Sequence, residues 1–86
     1  TRLVALASCH FISGWRLELP AFAQRLRDRR VALCIDGIQT LGAFPTLAEH
    51  ADFIAADAHK WLLGPCGAGF LYIRKAWHEA LRPFVY

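Results

Sequence analysis

Val31-Ala32-Leu33-Cys34-Ile35-Asp36-Gly37-Ile38-Gln39 is an unbroken apolar run that ends in a carboxylate and a glycine. Short apolar and β-branched side chains over 31–35, with a turn signal at Gly37, predict a strand. The absence of polar alternation suits a parallel strand covered on both faces. A second run, Phe53-Ile54-Ala55-Ala56, leads through Asp57 and Ala58 to His59-Lys60, and Gly64-Pro65-Cys66-Gly67-Ala68-Gly69 follows as a tight turn. Asp36 and Lys60 therefore fall just past the carboxyl ends of two strands. That is where open α/β sheets gather their ligands.

Working outward, residues 3–8 predict a first strand and 9–19 a loop containing Gly14. Pro20 suits the first turn of a helix that continues over 21–30. Leu19, Phe22, Ala23 and Leu26 recur at helical spacing, opposite an arginine-rich face. A loop over 36–45 precedes a short helix over 47–50 capped by Thr46. Strands follow at 52–56 and 70–73, then a helix over 76–81 stopped by Pro83. This order predicts an α/β fold: a mostly parallel sheet with right-handed helical crossovers. The connection before the fourth strand has no room for a crossover helix, so that strand is expected to run antiparallel.

The chain has 86 residues, 56% of them apolar and 20% charged, which bounds it to one small ordered domain. No apolar run reaches bilayer-spanning length and no signal-peptide pattern opens the chain. A soluble, cytoplasmic protein without membrane contact is expected. There is no Met, and a strand begins almost at once. So few helices cannot cover both faces of a parallel sheet, so residues 1–86 read as the central part of a larger domain, incomplete at both ends. Cys9, Cys34 and Cys66 form no C-x-x-C pair and read as small buried hydrophobes in a reducing compartment. Net charge is +3, with Arg25, Arg27, Arg29 and Arg30 at a solvated helix end. No interleaved aromatics make that cluster a nucleic-acid surface. His50 and His78 have no partner at metal-ligand spacing, so no metal is expected. The 64–69 turn lacks the Lys-Ser/Thr ending of a phosphate loop and leads into a strand, and no G-x-G-x-x-G follows the first strand.

A carboxylate at one strand end and an amine at the next can hold opposite ends of one flat cofactor. A lysine can form a Schiff base once burial or neighbouring positive charge leaves part of it neutral. An aspartate in the same cleft can pair with a protonated ring nitrogen, and Gln39 can donate to a ring substituent. Each residue alone reads more naturally as structural or solvated. Their joint placement at adjacent strand ends is the signal.

The D-x-x-Q element of Asp36–Gln39 and the H-K-x(3)-G-P-x-G-x-G element of His59–Gly69, in this order and at this separation, resemble the class V aminotransferase family over nearly the whole chain. The resemblance implies the large cofactor domain of a fold type I pyridoxal 5'-phosphate enzyme acting on an amino-acid substrate, as a homodimer. It implies that Lys60 forms the internal aldimine, Asp36 pairs with the pyridine nitrogen, Gln39 contacts the phenolic oxygen and His59 helps bind the phosphate. Where desulfurases often carry Asn near the cofactor, His10 is the candidate, or Phe11 if the alignment slips by one residue. Asp57 stands where many desulfurases have Ser, three residues before the lysine. A carboxylate is a poor phosphate ligand, so the reading leaves it to order His59 or a backbone amide. Asp-x-His-Lys-Trp-Leu-Leu-Gly-Pro looks closer to isopenicillin-N-epimerase-like members. Cysteine desulfurase, and a non-catalytic remnant, are the alternatives. The phosphate-cradling glycines, ring-stacking aromatic and substrate-binding arginine are absent, so the isolated chain is expected neither to turn over substrate nor to hold cofactor tightly.

Overall fold

The computed structural model describes residues 1–45 and 48–85. Thr46 and Leu47, the expected cap and first residue of a short helix, lie outside the described residues, and 48–50 form a turn. The elements are β1 (Leu3–Ala7), α1 (Leu19–Arg27), β2 (Ala32–Asp36), β3 (Phe53–Asp57), β4 (Gly69–Ile73) and one 3₁₀ turn, Lys75–Trp77. They build a single sheet in the order β1-β2-β3-β4. The first three strands are parallel and β4 runs antiparallel to β3. The expected α/β architecture and the reversed last strand are both present.

Two boundaries shift for identifiable reasons. The sequence carries the helix to Arg30, but α1 ends at Arg27 in a Schellman turn. There Val31 N–H donates to Leu26 O at 3.0 Å and Arg30 N–H to Arg27 O at 2.9 Å. Arg30 takes the left-handed φ of 55° that glycine usually fills, which costs roughly 1 kcal/mol. Because Val31 spends its N–H closing the helix, β2 starts one residue later than the apolar run.

Register places partner residues on one face. Val4, Leu33, Leu6, Ile35, Ile54 and Tyr72 form the side that α1 covers with Leu19 and Ala23. Leu33 is 1% exposed at the centre of this core, a burial that stabilises by about 2 kcal/mol. The continuous apolar strands predicted burial on both faces. The described residues cover one, and on the other Leu3 and Leu71 remain 50% and 59% exposed. The cysteines are free but less buried than expected, with Cys9 and Cys34 half-buried and Cys66 exposed. No described helix is long and apolar enough to cross a membrane.

The expected helix over 76–81 is replaced by the 3₁₀ turn, because Trp77 is held by tertiary contacts. Its indole Nε1–H donates to Asp52 Oδ1 at 3.1 Å, and its ring packs on Phe53 with centroids 5.4 Å apart. Asp52 Oδ2 accepts the buried Leu33 N–H at 2.9 Å, and Arg74 Nε lies 3.5 Å from Oδ1. One carboxylate thus ties β2, the start of β3 and the segment after β4. Asp52→Ala strands the Leu33 amide and the indole, so the unfolding free energy of the full-length chain is expected to fall by about 3 kcal/mol, read as a lower urea midpoint at unchanged slope. An unchanged midpoint would show that Asp52 does not hold these elements.

Candidate functional site

The carboxyl ends of β1, β2 and β3 carry three loops, and the candidate residues lie on them. Asp36 is the last residue of β2, which ends one position later than the apolar pattern implied, because its register partners Ala7 and Ala55 extend the strand to it. It lies on the face away from α1 and is exposed. Its Oδ1 accepts the Ile38 N–H at 2.9 Å, which turns the chain directly after the strand. Gln39 follows half-buried in that turn, where Thr40 and Leu41 N–H both donate to Gly37 O at 3.0 and 2.9 Å.

Lys60 lies three residues beyond β3, half-buried, in a turn closed by Leu63 N–H donating to its carbonyl at 3.0 Å. Among the described residues no carboxylate forms a salt bridge with its amine. His59 Nδ1 lies 3.2 Å from Asp57 Oδ2. His10, on the loop after β1, is exposed, and its Nδ1 accepts the Ser13 N–H at 3.3 Å. The same nitrogen lies 3.0 Å from the Ser13 hydroxyl, so Ser13 fixes the ring's orientation.

Two ties join these loops, and neither was visible in the sequence. The Ser8 hydroxyl, 4% exposed, bonds Asp36 O at 3.0 Å and the Thr40 hydroxyl at 2.7 Å, locking the β1 loop to the β2 loop. The β2 and β3 loops meet at Gly42, whose φ is 89°. A methyl there would collide with the Trp61 carbonyl oxygen and lie 2.7 Å from its carbon. Only glycine permits this approach, which holds the Gln39 loop against the Lys60 loop. A polar residue ending an apolar strand and a glycine three residues past Gln39 were the available signals.

A shallow hollow of about 390 Å³ opens at this end of the sheet, lined by Asp36, Ile38, Ala55, Asp57, Gly69 and Phe70 among others. It brings Asp36 and Asp57 together. Lys60, Gln39, His59 and His10 lie on the surrounding loops and do not line it. A cavity of about 310 Å³ on the α1 side is lined mainly by apolar residues such as Leu19, Ile35 and Ile54 and includes none of the candidates. Burial first, and then the neighbouring Asp36 carboxylate, push the Cys34 thiol above its ordinary range, so it remains protonated at neutral pH. Cys34 is accordingly no nucleophile here.

A sequence model of the family described as aminotransferase class-V matches residues 1–86. The chain is 39% identical over 88 residues to isopenicillin N epimerase of Amycolatopsis lactamdurans, covering 96% of this chain and 21% of that protein. It is 32% identical over 85 residues to the uncharacterized aminotransferase YcbU of Bacillus subtilis (strain 168), covering 96% of this chain and 23% of that protein. In structure it is similar to the apo cysteine desulfurase of Thermococcus onnurineus NA1, with a TM-score of 0.92 and 29% identity, covering 99% of this chain and 22% of that one. The chain thus spans about a fifth of the length of these relatives.

Proposed function

The chain belongs to the aminotransferase class-V family, and on that premise we propose that it supplies the lysine-bearing part of a pyridoxal 5'-phosphate enzyme acting on an amino-acid substrate. The observation that carries this is the pairing of Asp36 and Lys60 at the carboxyl ends of neighbouring parallel strands, on loops held together by the Gly42–Trp61 approach.

The residues fit the group. Asp36 uses one carboxylate oxygen to accept the Ile38 N–H, and among the described residues the other has no protein donor. That oxygen can accept from a protonated ring nitrogen. Among the described residues no carboxylate forms a salt bridge with the Lys60 amine, so no ion pair must be broken for it to attach to an aldehyde. The hollow beside Asp36 carries two carboxylates, so the phosphate belongs away from it, toward the histidine-bearing loop.

When bound, the cofactor supplies an electron sink for a carbanion at the substrate's Cα. Lys60 Nζ would hold the cofactor, and its amine would serve as the general base for the Cα proton. Asp36 keeps the ring nitrogen protonated. Gln39 would donate an amide hydrogen bond to the ring oxygen, and His59 would help hold the phosphate. His10 would be a further polar contact on the neighbouring loop. Transamination, epimerisation, elimination and desulfuration all begin with these steps.

The test is to add pyridoxal 5'-phosphate to the full-length chain, reduce with borohydride and map the labelled peptide by mass spectrometry. The expected label is on Lys60. A label elsewhere, or none, overturns the reading.

A further inference from the structure

We propose that Asp57 is a positioning residue, which acts on the cofactor's phosphate only through His59, by orienting the imidazole from Nδ1 and balancing the charge the ring carries while it donates to the anion. This rests on the reading above. Asp57 is the last residue of β3 and His59 lies two residues on, with the Asp57 carboxylate 3.2 Å from His59 Nδ1. The backbone between them is fixed from both sides. Ala58 N–H donates to Ala68 O at 2.7 Å, and Gly64 N–H donates to Ala58 O at 2.9 Å.

The start of β4 is shaped to leave this carboxylate in place. Asp57 pairs in register with Gly69. A Cβ on Gly69 would lie 3.3 Å from Asp57 Oδ1 and 2.8 Å from Ala56 O. A side chain at 69 would press on both the strand and the carboxylate. The Asp57 and His59 side chains are 42% and 35% exposed, so both are open to a ligand at the sheet end.

The chemistry of the pair then limits what His59 can do. A neutral imidazole that gives its Nδ1 hydrogen to a carboxylate keeps only a lone pair at Nε2, which repels phosphate. The imidazolium donates at both nitrogens, to Asp57 on one side and to the anion on the other. Asp57 supplies the balancing negative charge for that form. A carboxylate three residues before the lysine is thereby compatible with phosphate binding without touching the phosphate.

The test uses the cofactor-free full-length chain, with Asp57→Ala, Asp57→Asn, His59→Gln and the Asp57→Ala/His59→Gln double variant. Affinities for pyridoxal 5'-phosphate and for pyridoxal, which lacks the phosphate, are measured by absorbance titration. Asp57→Ala is expected to weaken pyridoxal 5'-phosphate about tenfold and pyridoxal less than about twofold. Asp57→Asn keeps an acceptor oxygen without the charge, so its loss is expected to be intermediate. In the His59→Gln background Asp57→Ala is expected to change affinity less than about twofold. Before any cofactor is added, Asp57→Ala should also shift the His59 ring ¹⁵N signals. Equal losses in both backgrounds, equal losses for the two ligands, or unmoved ring signals overturn the proposal while leaving Lys60 labelling intact. Failure of the wild-type chain to bind either ligand overturns the cofactor reading itself, and the proposal with it. Circular dichroism of each variant separates a binding defect from a folding defect, and Asp57→Asn carries the test if Asp57→Ala does not fold.

Discussion

Lys60→Ala in the full-length chain is expected to abolish the visible absorption of bound cofactor and to lower turnover by at least about 10³-fold. Two losses combine in that figure. The amine is the only proposed covalent attachment, and it is also the proposed base at the substrate's Cα, a role worth about 10²–10⁴ by itself. The backbone around it should survive, because the Leu63 N–H bond runs to the Lys60 carbonyl and not to its side chain. Lys75→Ala is the matched control. β4 runs antiparallel to β3, and Phe53 pairs with Ile73, so Lys75 lies beside the start of β3. That places it about 13 Å along the strand from the end where the candidate residues gather. Lys75→Ala is expected to leave absorption and turnover unchanged. If Lys60→Ala kept both, or if Lys75→Ala lost them, the amine at the end of β3 would not be the reactive one.

Strand content and direction were legible because each strand is a short apolar run bounded by turn residues, and the strand boundaries were off by one residue. Those errors came from hydrogen bonds that no local pattern encodes. Val31 closes α1 and so does not start β2, and Asp36 continues β2 because Ala7 and Ala55 flank it. The end of α1 was misread because its left-handed residue is Arg30, where a glycine would have announced the stop. The last helix was misread because Trp77 is captured by Asp52, 25 positions away in sequence.

The site divides in the same way. Asp36, Gln39, His59 and Lys60 could be placed from strand ends and motif spacing. The ties that hold their loops together could not, since Ser8 and Thr40 are 32 positions apart and Gly42 meets Trp61 through backbone alone. Asp57 was an anomaly in the sequence, left to order His59 or a backbone amide, and in three dimensions its carboxylate lies against His59. What the pattern carries is which residues stand at the end of the sheet. What it omits is how each is braced, and bracing decides whether an amine and a carboxylate act on one ligand.

That distinction makes Asp36→Asn the sharpest test of the site's electronics. Asparagine is isosteric, and its amide oxygen can still accept the Ile38 N–H, so the turn after β2 and the adjoining Gln39 loop should keep their shape. Only the negative charge is lost. A ring nitrogen that meets a neutral amide has no counter-charge to keep its proton, and the ring becomes a poorer sink for the Cα carbanion. Cofactor should therefore still attach to Lys60, with borohydride labelling at wild-type yield, while turnover falls by on the order of 10²–10³, the range for removing one preorganised electrostatic group. Asp36→Ala should lose the turn as well, adding a stability defect that Asp36→Asn lacks. The split between labelling and turnover is the informative result. If Asp36→Asn lost labelling and turnover together, Asp36 would be a structural residue of the loop. If it lost neither, the carboxylate at the end of β2 would not face the ring nitrogen at all.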